Sequence, residues 1–111
     1  MDAIHHPGVY VFCLAAEPVA DAVATLREDE GLTVVVERGR AAELGLTPLY
    51  AADWITIAVD SDLDEVGFLA PILVRLADAG ISCNVFAGVH HDHLFVPEGR
   101  GGDVISLLSR A

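Results

Sequence analysis

The chain contains no lysine. A Walker-type phosphate loop needs that side chain, and the stretch Gly99-Arg100-Gly101-Gly102 is also too short to form one. Cysteine is scarce: only Cys13 and Cys83 are present, each inside an apolar run. Two thiols so far apart make neither a disulfide framework nor a zinc signature, and buried free thiols are expected. No apolar run approaches the roughly 18 residues that span a bilayer. Residues 1–8 carry no basic, apolar leader, so they read as a loose polar lead-in to a cytoplasmic protein. Positive charge is sparse as well. Six basic residues face seventeen acidic ones, for a net charge of −11. Such a surface repels phosphate backbones and anionic membranes, which argues against nucleic-acid or membrane partners. It serves solubility first, and could favour a cationic ligand.

What is plentiful is apolar: hydrophobic residues make up 53% of 111 positions. That suffices for a real core in one compact body, or in two very small ones. Residues 9–15 form a dense β-type run. After Pro18, residues 19–30 favour helix by propensity but also read as the first arm of a hairpin into residues 32–36.

An internal echo bears on that choice. Residues 36–44 align with residues 96–104, sixty positions on, and residues 33–36 align with 93–96. Both copies read as a strand exit, a Gly-Arg turn and a short helix. The first strand aligns with residues 54–59 at a shorter offset, the deficit matching one helix. The first copy therefore reads as degenerate, with its first helix lost and residues 23–27 a strand.

Pro48 closes the first unit, and residues 49–53 read as a link. In residues 63–79, Val66, Leu69, Ala70, Leu73, Leu76 and Ala77 recur at helical spacing. Pro71 is tolerated only in a first turn, so the helix is expected to begin near Gly67 and Phe68 and to end at Gly80. A last short helix is expected over residues 102–109. Five strands can be read, whereas two βαββαβ units need eight. A degenerate unit, exchanged strands or a second chain would make up the difference.

Several stretches carry a family likeness. They are Gly31-Leu32-Thr33-Val34-Val35, the loop from Ser61 to Val66-Gly67-Phe68-Leu69, and Gly80-Ile81-Ser82-Cys83-Asn84-Val85. The last is His91-Asp92-His93 followed by Phe95-Val96-Pro97. Together they resemble the ACT domain family, most narrowly a group of small bacterial tandem ACT proteins and the ACT-like halves of cytosolic arginine sensors. Val66 stands where the family has proline. The likeness spans residues 8–110. It implies an α+β fold of the ferredoxin-like βαββαβ type, an antiparallel sheet with helices on one face. Two pseudo-repeated units are expected, a degenerate one over 8–48 and a second over 49–111. It also implies a homo-oligomer, most simply a dimer, and binding of a free amino acid, with no cofactor.

The candidate site is the loop into the central helix. Asp60, Ser61, Asp62, Leu63, Val66, Gly67 and Phe68 surround a helix start whose free amides favour an anion, with Asn84 nearby. Glycine would let backbone approach a carboxylate, Ser61 would add a hydroxyl, and Asp60 or Asp62 would meet an ammonium group. The competing reading is that Ser61 and the aspartates merely cap the helix. His5, His6, His90, His91 and His93 raise the question of a metal, but adjacent strand residues point to opposite faces and at most His91 and His93 share one. No nucleophile-elbow context surrounds Ser61, and no enzyme is expected. Amino-acid sensing, ligand-free assembly, and a metal-dependent enzyme or metal carrier using His91 and His93 are the hypotheses, in that order.

Overall fold

The computed structural model describes residues 1–109 and divides the chain into two compact units. Unit 1 comprises Met1–Pro7 and Asp53–Ala111, and unit 2 comprises Gly8–Ala52. The strands are β1 (Ala3–His5), β2 (Tyr10–Ala15), β3 (Ala24–Glu28), β4 (Gly31–Glu37), β5 (Tyr50–Ile57), β6 (Asn84–Ala87) and β7 (Asp92–Pro97). The helices are α1 (Arg38–Leu44), α2 (Ala70–Asp78) and α3 (Gly101–Ser109).

In unit 2 the strand order is β3-β4-β2, with Tyr50–Ala52 of β5 beside β2. In unit 1 the order is β6-β7-β5, and β1 pairs antiparallel with β5, Ala3 facing Ile57 and His5 facing Ile55. Each unit thus has its first strand flanked by the third and fourth, as in a ferredoxin-like sheet. β5 serves in both units, which is how seven strands fill eight places. The polar lead-in is not loose: it supplies the fourth strand of unit 1. Three residues are too few for period-2 alternation to show. The link expected over 49–53 is likewise strand, because Tyr50, Ala51 and Ala52 pair with Phe12, Val11 and Tyr10.

The hairpins carry the echo in their register. Ala24, Thr25, Leu26 and Arg27 pair with Val35, Val34, Thr33 and Leu32. Asn84, Val85, Phe86 and Ala87 pair with Phe95, Leu94, His93 and Asp92. Every residue of the second set lies sixty positions after its counterpart. No helix lies between β2 and β3 among the described residues.

Alternation along the strands separates the faces. In unit 1, Ile55, Ile57, Leu94 and Val96 point toward α2 and α3 and pack with Ile72, Leu76, Val104 and Leu108. In unit 2, Val11, Cys13, Leu32, Val34 and Val36 pack with Ala41 of α1. Glu37 caps α1, its side chain accepting from the N–H groups of Gly39 and Arg40. That carboxylate serves two of the donors a helix start leaves unpaired.

α2 ends as expected. Gly80 adopts φ +74°, the Gly80 N–H donates to the Ala77 carbonyl and the Ile81 N–H to Leu76. A left-handed glycine closes the helix and turns Ile81 back into the core. Its start differs from expectation. α2 begins at Ala70 rather than near Gly67, because Pro71 sits at the first or second helical position. A helix begun at Gly67 would press the proline ring on the carbonyl four residues back. α3 begins one residue earlier than expected, at Gly101. Cys83 precedes β6 and is only partly buried.

Candidate functional site

After β5 the chain leaves the sheet at Ala58 and rejoins regular structure at Ala70. The Glu65 N–H donates to the Asp62 carbonyl at 3.0 Å, folding residues 62–65 into a turn. Gly67 follows with φ +81° and open space where a Cβ would sit. Its glycine is therefore required by the left-handed backbone and not by close approach of another atom. Phe68 and Leu69 then return to the core of unit 1. Leu69 occupies the cap position with no side-chain hydrogen bond. Ser61 and the aspartates thus do not cap α2. Pro71 has no N–H, which leaves Ala70 and Ile72 as the helical amides of the first turn without helical partners.

This loop encloses a cavity of about 180 Å³. Ser61, Asp62, Leu63 and Glu65 line it from the loop, Phe68 and Leu69 from the helix lead-in, and Ala87 and Asp92 from the hairpin. Pockets for drug-sized ligands run from about 300 Å³, so this one suits a smaller molecule. Asp92 pairs with Ala87 at the closed end of β6–β7. It shares the inward register of Leu94 and Val96 and is only 9% exposed. Its carboxylate receives a long hydrogen bond from the Ser61 hydroxyl, 3.5 Å. A buried carboxylate held by so little ordinarily calls for another partner. Asp62 and Glu65 add negative charge, and the lining includes no arginine. The arrangement can hold an ammonium group at Asp92.

Of the residues expected from sequence, Ser61, Asp62, Leu63 and Phe68 come together here. Asp60 does not line the cavity and lies 3.5 Å from His91 Nδ1. Val66 is 96% exposed, and Gly67 lies outside the lining. Asn84 is exposed at the first position of β6, opposite Phe95. Glu65, Leu69, Ala87 and Asp92 were not anticipated. Asp92 had a legible signal: a charged residue in phase with the apolar Leu94 and Val96.

The histidines are engaged elsewhere. On the sheet face opposite the helices, the Trp54 indole N–H donates to His93 Nδ1 at 3.1 Å. Thr56 Oγ1 is 3.0 Å from the same nitrogen and 2.7 Å from His6 Nε2. His6 stacks on Trp54 with centroids 3.5 Å apart. Burial pushes the pKa of both rings down; His93 and His5 add to the effect at His6. At His93, His91 adds to it and Asp92 opposes it. His91 faces Asp60 instead. Among the described residues no group of three or more His, Cys, Asp or Glu is arranged to hold a metal ion. Burial also pushes the Cys83 thiol up to about 11, against a backbone hydrogen bond from Phe95. It is therefore no activated nucleophile near neutral pH.

Comparison with known proteins bears on the whole chain. Residues 1–53 match one ACT domain profile and residues 50–110 another. No curated protein matches the sequence. Among solved structures, a Vibrio cholerae protein, VC0802, is 38% identical, with a TM-score of 0.86 over 96% of this chain and 85% of its own. It is described as a protein of unknown function and possible transport protein. Protein Atu0741 of Agrobacterium tumefaciens is 20% identical, with a TM-score of 0.63 over 92% of this chain and 81% of its own. The aspartokinase alpha and beta subunits are 12% identical, with a TM-score of 0.65 over 99% of this chain and 96% of that one. The last two share the fold. No helix among the described residues is long and apolar enough to cross a membrane. With α+β units built on antiparallel strand pairs and three helices, and with both matches of one kind, the chain belongs to the ACT domain family and carries two such domains in tandem.

Proposed function

We propose that this protein is a regulatory binder of a small free amino acid, without catalytic activity, and that the ligand occupies the cavity between the Ser61–Leu69 loop and the β6–β7 hairpin. The observation that carries this is Asp92: a nine-tenths buried carboxylate lining a cavity of about 180 Å³ beside a helix start. In this reading Asp92 holds the α-ammonium group, Ser61 adds a hydroxyl, and amides at the start of α2 hold the carboxylate. Phe68 and Leu69 bound the room for a side chain. Unit 2 is read as a copy whose first helix has given way to a loop.

Isothermal titration and thermal shift against the twenty amino acids test the proposal. At least one is expected to bind, and Asp92→Asn is expected to weaken it by about tenfold or more, the scale of a charge-assisted hydrogen bond. No response to any amino acid at millimolar concentration would sink it.

A second reading, a ligand-free assembly module, is favoured by one feature. Leu63 and Val66, in the same loop, are 67% and 96% exposed. Exposed apolar side chains grouped in one loop suit coverage by a second copy. Sedimentation separates the two: a dimer indifferent to amino acids supports assembly, whereas a strictly monomeric species removes it.

A further inference from the structure

We infer that the cavity at Asp92 takes a second class of ligand, a short unbranched diamine, with one ammonium group on Asp92 and the other against Asp62 and Glu65. The inference rests on the reading above that this cavity is a ligand site with Asp92 as its ammonium acceptor. It departs from that reading in what the rest of the lining recognises.

The lining has three zones. Innermost, Asp92 is nine-tenths buried, and the one hydrogen bond to its carboxylate, from the Ser61 hydroxyl at 3.5 Å, is longer than such bonds ordinarily are. Leu63, Phe68, Leu69 and Ala87 supply apolar wall. Asp62 and Glu65 are exposed and stand at the open side. Among the described residues neither of these two carboxylates has a hydrogen bond or an ion pair. No arginine or histidine belongs to the lining, and the chain has no lysine.

Charge balance selects the ligand. An amino acid brings a carboxylate with its α-ammonium group, so it leaves Asp62 and Glu65 uncompensated. A single metal ion does not resolve this, because among the described residues no three such side chains are arranged to hold one. Carboxylates spread over a cavity of about 180 Å³ are matched by two cationic groups held apart. An ammonium group donates three hydrogen bonds and accepts none, as a carboxylate without donors requires. The methylenes between two such groups would lie on Leu63, Phe68 and Leu69, where leaving water is favourable.

The test is a ¹H–¹⁵N correlation titration of the full chain with butanediamine, butylammonium, glycine and calcium, each as a chloride or in sodium chloride of matched ionic strength. Butanediamine is expected to shift the amides of residues 61–69 and 92, and to do so at about two- to tenfold lower concentration than butylammonium, the range of one or two exposed ion pairs. Asp92→Asn is expected to weaken both amines by about ten- to a hundredfold, the range of a hydrogen-bonded charge. The double variant Asp62→Asn, Glu65→Gln should abolish the advantage of the diamine and leave butylammonium binding in place. Both of its positions are exposed, and the dispersion of the same spectra shows whether each variant is folded. A diamine no better than butylammonium, an advantage that survives in the double variant, or the same shifts from calcium would overturn the inference. Glycine binding without that advantage overturns it and leaves the amino-acid reading standing. Diamine binding with no response to any amino acid does the reverse.

Discussion

Gly101 shows how one position is fixed by its neighbours. A Cβ built on it would lie 2.5 Å from His5 Cε1 and Nε2 and 2.8 Å from Asp53 Oδ2. His5 is partly exposed and has room to swing away. Asp53 has none, because its Oδ2 accepts from the N–H groups of Gly99 and Gly101, at 3.1 and 2.8 Å, at the start of α3. A carboxylate there satisfies two donors and meets the positive end of the helix. Gly101→Ala should therefore cost about 1–3 kcal/mol, the range for overpacking a filled core, read by urea unfolding. In a His5→Ala background the same change should cost less; an undiminished cost would place the whole obstruction on Asp53. The sequence signals at this scale were uneven. Gly99 to Gly102 stood out by composition, and Ser61 and Asp62 by their place before a helix. Asp53 did not, since it lies where the chain read as a link. Asp92 was masked by the histidines beside it, which raised a metal question that the packing answers by turning His91 to Asp60 and His93 to Trp54 and Thr56.

Among elements, β1 is held in the least predictable way. Besides its pairing with β5, it is followed by His6, whose amide donates to the Trp54 carbonyl at 2.9 Å and whose ring stacks on the indole. Trp54 can only donate, so neutral His93 must accept at Nδ1 and carry its proton on Nε2. The Thr56 hydroxyl then donates to the same nitrogen and accepts from His6 Nε2–H. Protonating His93 sets an N–H against the indole N–H, and charging both rings places two cations on one hydroxyl. Burial holds both pKa values below the usual 6.5. The neutral rings thus contribute stability that is fully present above that value and is lost as pH falls below it. His5 acts in the same sense on His6 and His91 on His93, while Asp92 opposes it at His93. Between about pH 8 and about pH 5, a window around the histidine range, the protection of the amides of residues 3–6 relative to unfolded-chain exchange at the same pH should fall and Trp54 fluorescence should change. His6→Phe keeps a stacked ring without a titrating proton and should flatten both. An unchanged pH profile in that variant would remove His6 from the account. The long periodic stretches around this element were readable: α2, its glycine end and the two hairpins sixty residues apart. β1 was not, because three residues carry no period, and neither was the true start of α2, where one proline outweighed the apolar stripe.

At the scale of the whole chain, charge decides. Six arginines cannot neutralise seventeen acids, and the excess of −11 is carried by only 111 residues. The ion pairs Arg40–Asp21 and Arg100–Asp103, at 3.0 and 2.8 Å, are exposed and each contributes at most about 1 kcal/mol. Self-repulsion in the folded state should outweigh them, since like charges are closer there than in the unfolded chain. Raising sodium chloride from about 0.01 M to about 0.1 M shortens the screening length from about 30 to about 10 Å. That relieves the long-range repulsion before it removes contact pairs. Tm at neutral pH should therefore rise with salt, and about 1 kcal/mol of relief corresponds to about 4–8 °C in a domain near this size. A cation that seats in the acidic cavity at Asp62, Glu65 and Asp92 would stabilise further, in proportion to its own concentration and beyond what ionic strength explains. Comparing sodium chloride with glycine in sodium chloride of equal strength separates the two effects. A Tm that falls with sodium chloride would show that attractive pairs dominate. The cavity's acidity would then have to be explained by its own residues, and not by the excess charge of the molecule.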